Sequence, residues 1–167
     1  MKKIISLILS LALLFALVAC APAANNDTET ENQTETIAKP GDSMSLSDLV
    51  DSIIKDVENL PMSGNIDINE ENFKSFLFID YIDGAEALAS ESMMGAVAHS
   101  VVLLRLPDGS DVDAVATSIR ENADPRKWIC VGAEKTIVSV HGQTILLVMS
   151  STASTDAISA NFDSFWA

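Results

Sequence analysis

Twelve consecutive residues, Asn25 to Thr36, contain no apolar side chain. Such a segment cannot bury enough surface to offset the entropy of ordering the chain, so it is expected to stay disordered. It divides the sequence unevenly. The part before it is too short to build a core, so whatever folds must lie after it. Residues 20–44 therefore read as a flexible acidic linker and residues 45–167 as one domain. About 120 residues suffice for a single hydrophobic core. A linker of about 24 residues reaches roughly 25–30 Å on average.

The first 19 residues have their own logic. Lys2 and Lys3 precede an apolar run from Ile4 to Val18, interrupted only by Ser6 and Ser10. A charged start, a short apolar stretch and a small residue before the cut make the layout of a secretory signal peptide. About 15 apolar residues are too few to span the bilayer comfortably as a helix. Leu17-Val18-Ala19-Cys20 resembles the bacterial lipobox. That resemblance implies cleavage before Cys20 and a diacylglyceryl group on its thiol. Two acyl chains give stable anchoring where one gives only marginal binding. The expected address is the extracytoplasmic face of the cell membrane, held by lipid through Cys20.

Charge narrows the partners. The whole chain carries net −14. Removing Lys2 and Lys3 leaves 8 basic against 24 acidic residues, or −16. A strongly anionic domain is a poor partner for nucleic acid, which needs a basic footprint, and for anionic lipid headgroups. With Cys20 lipidated, Cys130 is the remaining cysteine, so no internal disulfide forms. Its setting, Trp128-Ile129-Cys130-Val131, reads as a small buried core residue.

Periodicity predicts the elements. Ser45 caps a helix whose apolar stripe is Leu46, Leu49, Val50, Ile53, Ile54 and Val57, with Pro61 marking its end. Asn69 starts a shorter helix burying Phe73, Phe76 and Leu77. A weaker helical segment is expected over 85–92. Val97 to Leu106 reads as a central strand, apolar on both faces. Ser110 caps a helix that turns Val112, Val115, Ala116 and Ile119 inward. Thr136–Val140 and Thr144–Met149 read as strands joined through a His141-Gly142 turn. A last helix carries Ile158, Phe162 and Phe165. The order implies an α+β domain: a small, largely antiparallel sheet of about three strands packed with helices in two layers.

No catalytic motif emerges, and no cofactor or metal is implied. Asp108-Gly109-Ser110-Asp111-Val112-Asp113 lacks the spacing of a calcium loop, and a turn followed by a helix cap accounts for every residue. Asp80-Tyr81-Ile82-Asp83-Gly84-Ala85-Glu86 reads the same way, as a loop. His99 and His141 have no neighbour at metal-ligand spacing. Met93-Met94 reads as core filler. The distinctive stretch is Asp124-Pro125-Arg126-Lys127-Trp128, two adjacent cations beside an aromatic in an acidic domain. Arg126, Lys127 and Trp128 form a candidate binding surface, since Arg and Trp are enriched at interface hot spots. The alternative is a Trp in the core with both cations paired to carboxylates.

Taken together, the lipobox, the acidic linker, Ser92-Met93-Met94, the run Asp124 to Val131 and Leu146-Leu147-Val148-Met149-Ser150 resemble a family of clostridial lipoproteins. That family carries a domain of unknown function, so the resemblance implies a group rather than an activity. The expectation is a non-catalytic binding or accessory module of the cell envelope, with an envelope protein as partner. The alternative is an envelope enzyme, a hydrolase or acyl-transfer helper, whose site is assembled from distant residues.

Overall fold

Two strands with apolar side chains on both faces dictate the architecture, because each face then needs its own cover. The computed structural model describes residues 39–167. The expected signal peptide, Cys20 and the expected linker up to residue 38 lie outside them. The elements run α1 (Pro40–Ser43), α2 (Leu46–Ile54), β1 (Ser63–Ile68), α3 (Phe73–Leu77), β2 (Glu86–Ser92), β3 (Ser100–Arg105), α4 (Val112–Asn122), β4 (Lys135–His141), β5 (Thr144–Ser150) and α5 (Thr152–Ser164). The fold is α+β, with one antiparallel sheet in the order β1-β2-β3-β5-β4.

Alternation along the strands divides the core. On one face Leu88, Val101, Leu103, Leu146 and Val148 pack under α2 and α5. On the other, Ala89, Val102, Leu104, Ile145, Leu147 and Met149 pack under α3 and α4. The result is three layers rather than the expected two, and five strands rather than about three. Both extra strands have a physical reason for escaping notice. β1, Ser63-Gly64-Asn65-Ile66-Asp67-Ile68, is an edge strand with little apolar content. β2 replaces the expected helix over 85–92. Its residues Glu86-Ala87-Leu88-Ala89-Ser90-Glu91-Ser92 favour helix intrinsically, but ladders to β1 and β3 on both sides override propensity.

The helices follow their caps. Ser45 Oγ accepts from the Asp48 amide at 3.1 Å and starts α2. Asp111, one residue beyond the expected Ser110, caps α4 through the Ala114 amide at 3.0 Å. Ser151 starts α5 through the Ser154 amide. The β4–β5 turn centres on Gly142 and Gln143, one residue later than expected. Gly142 takes φ +53, and His141 closes the ladder opposite Thr144. Glycine at the first central position suits a tight hairpin of this kind.

The chain enters the domain at the end of the sheet formed by Glu86, Arg105, Thr144 and His141. Residues 40–43, expected within the linker, form α1. Arg105 donates to the carbonyls of Met44 (2.8 Å) and Gly41 (3.0 Å). Trp166 lies against Gly41 so closely that any Cβ there would overlap the indole. Its Nε1 donates to Asp42 at 2.8 Å. His141 stacks on Trp166 and bonds Asp163 at 2.9 Å. The elements of this end are thus tied to one another.

Candidate functional site

The opposite end of the sheet has a different surface. There the register brings together Ser63 and Ser92, Glu91 and Ser100, Ser100 and Met149, and Lys135 and Ser150. Above them lie the segment before β1, the β2–β3 loop and the α4–β4 loop. Four large apolar side chains in these segments are exposed: Met62 (73%), Met93 (69%), Met94 (53%) and the fully exposed Ile129. Ile66 and Tyr81 are the other large exposed apolar residues described. The concentration at one end is the signal, since scattered exposed apolar residues are ordinary.

The α4–β4 loop is built from its polar residues upward. The Asp124 carboxylate accepts from the Arg126 amide at 2.9 Å, and the Asp124 carbonyl accepts from the Lys127 amide. The Ala133 amide donates to Pro125 O at 2.8 Å, closing the loop on itself. A Cβ at Gly132 would sit 3.2 Å from that same carbonyl, which explains a glycine there. Lys127 then pins the loop to the sheet. Its Nζ meets Glu91 at 2.7 Å and donates to Ser100 Oγ at 3.0 Å. It also lies 5.1 Å from the Phe76 ring centroid and 5.0 Å from that of Trp128. Both charged side chains are 14% exposed. Burial pushes the Lys127 ammonium below its ordinary range, and Glu91 opposes that shift.

This geometry separates three residues that are adjacent in sequence. Arg126 is exposed and has no carboxylate partner among the described residues. Lys127 is an anchor. Trp128 is half-buried against the α3/α4 core. The structure thus shows one cation without a carboxylate partner, one paired cation and an aromatic that packs inward. Two expectations are corrected. Cys130 is exposed, not core, because closure at Pro125–Ala133 and the Lys127 anchor turn residues 129–130 outward. Met93 and Met94 are exposed, not filler. Met62 and Ile129 carried no sequence signal, since neither stands in a pattern that sets it apart from its neighbours. Beside the loop lie two shallow depressions of about 350 and 270 Å³ that share Val131 and Gly132.

The histidines fall elsewhere. His99, just before β3, is buried, and its Nδ1 lies 2.9 Å from Ser150 Oγ. Its Nε2 has no partner among the described residues. Burial lowers its pKa to about 4, so the ring is neutral at pH 7. His141 ends β4 and is not at the tip of the turn. Of the two acidic runs, one supplies the α4 cap through Asp111. In the other, Asp80 pairs with Lys74 at 2.7 Å, which holds its carboxyl below the ordinary range. Among the described residues no group of three His, Cys, Asp or Glu side chains is placed to hold a metal. No helix described is long and apolar enough to cross a membrane.

Compared with protein families, curated proteins and solved structures, the chain has no significant match, so the functional reading rests on sequence and geometry.

Proposed function

We propose that this protein is an extracytoplasmic lipoprotein, held at the cell membrane by lipid on Cys20, whose domain is a binding or accessory module of the envelope. One observation carries the binding reading: Met62, Met93, Met94 and Ile129 gather with the unpaired Arg126 at the sheet end opposite the entry of the chain at Lys39. Seven-residue strands separate those ends by roughly 20 Å. Methionine suits such a surface, because its flexible, polarisable side chain adapts to varied shapes.

A serine–histidine form of the enzyme alternative would use Ser150 with His99, the one such pair among the described hydrogen bonds. Two features weaken it. A histidine with a pKa of about 4 is a poor proton acceptor at neutral pH. Among the described residues no carboxylate orients its second nitrogen.

Two measurements test the proposal. Cys20→Ser is expected to move the protein out of the membrane fraction; a Ser variant retained there at mature size would sink the anchor. A photo-crosslinking residue at Ile129 in intact cells is expected to capture a discrete envelope protein, and Arg126→Ala is expected to weaken that capture severalfold. The same residue at Tyr81, outside the site, is the control. Equal capture at both positions, or none at Ile129, would refute the binding surface.

A further inference from the structure

The two edges of the sheet are not equivalent. At β4 the Arg120 guanidinium donates to the carbonyl of Val138, so part of that edge is occupied. At β1 the hydrogen bond from the Met93 amide to Met62 O sets the phase of the ladder. In an antiparallel pair, inward- and outward-bonded residues alternate. Residues 62, 64, 66 and 68 therefore bond inward to β2, while Ser63, Asn65 and Asp67 turn their N–H and C=O groups outward. The Asp67 carbonyl is taken by the Asn72 side-chain amide at 3.1 Å, which agrees with this phase and closes one end. The outward groups of Ser63 and Asn65 have no partner among the described residues.

The side chains along this edge alternate in character. Met62, Gly64 and Ile66 lie on the α3/α4 face beside Met93, whose Cγ would be 3.9 Å from a Cβ at Gly64. Met62, Ile66 and Met93 are all exposed, so neither helix covers this corner. On the other face Ser63, Asn65 and Asp67 stand near Asp51, which accepts from the Asn65 side chain at 3.3 Å. Charge is one-sided as well. On β1 and directly after it stand Asp67, Glu70 and Glu71, all exposed, with no Lys or Arg before Lys74.

We propose that β1 receives an extended segment of a partner polypeptide as a sixth strand, and that the segment alternates apolar side chains with Lys or Arg. Backbone pairing to Ser63 and Asn65 supplies the attachment. Apolar side chains of the incoming strand meet Met62, Ile66 and Met93. Its cations, pointing to the opposite face, meet Asp67 and Asp51. The carboxylates beside this edge select against a second copy of this chain, whose own edge carries the same Asp67 and Asp51. The inference rests on the binding reading above and names the class of partner.

The test uses the mature lipoprotein in neutral detergent and a capped peptide alternating valine and lysine over seven residues, with binding followed by fluorescence anisotropy. Saturable binding is expected, at least tenfold tighter than that of a valine–glutamate peptide. Asn65→Pro removes an outward amide but no bond to β2, a substitution edge strands tolerate. It is expected to weaken binding at least tenfold, while Asn65→Ala changes it less than threefold. Should Asn65→Pro fail to fold, Asp67→Lys with Glu71→Lys replaces it, and preference is expected to shift toward the valine–glutamate peptide. Absence of saturable binding, or binding indifferent to both variants, overturns the proposal. Capture at Ile129 with no peptide binding would leave the binding module standing and remove only the sixth strand.

Discussion

Acid should weaken this domain through His99. The ring is buried, it is held against Ser150, and its pKa is lowered to about 4 from an ordinary 6.5. Above pH 6.5 it is neutral in both folded and unfolded chains and contributes no pH dependence. Below that value the unfolded chain takes up a proton that the folded chain refuses, so stability falls as pH falls from 6.5 toward 4. Proton linkage puts the loss at about 2 kcal/mol at pH 5 and about 3 kcal/mol at pH 4. Carboxylates titrate in the same range, so the informative quantity is a difference between two proteins. Urea unfolding of the wild type and His99→Gln at pH 7.5 and pH 5 isolates it. The stability of the wild type relative to His99→Gln should drop by about 2 kcal/mol between those pH values. An unchanged difference would refute the reasoning, as would a His99 resonance titrating near 6.5 in the folded protein.

Two further outcomes probe the α4–β4 loop. Lys127→Met leaves Glu91 buried without its cation and should cost about 2–3 kcal/mol, whereas Glu91→Gln with Lys127→Met should fall within about 1 kcal/mol of wild type; additive single losses in a double-mutant cycle would show that the pair does not act as a unit. Cys130 should react with a thiol reagent in the folded Cys20→Ser variant at one group per chain, without denaturant; a requirement for unfolding would place it back in the core.

How much of this was legible depends on where each element gets its stability. α2 was readable because its own stripe, Leu46, Leu49, Val50 and Ile53, is what it buries. β3 and β5 were readable because burial on both faces leaves a continuous apolar run. β2 was not, because nothing in Glu86–Ser92 specifies a strand; its two neighbours do. At the candidate site, Arg126, Lys127 and Trp128 stood out as unusual composition in an acidic chain. The difference between a paired and an unpaired cation is a matter of distance to Glu91, which lies 36 residues away.

By itself the sequence determined the features that are local. These are the Ser45 cap and apolar stripe of α2, the continuous apolar runs of β3 and β5, and the α+β class. Each follows from a few adjacent residues or a single periodicity. Tertiary structure alone decided what is exposed. Met93, Met94, Ile129 and Cys130 sit among apolar neighbours in the chain and would be core by pattern. Strand register and the Lys127–Glu91 anchor turn them to solvent, because burial depends on which distant segments arrive to cover a side chain.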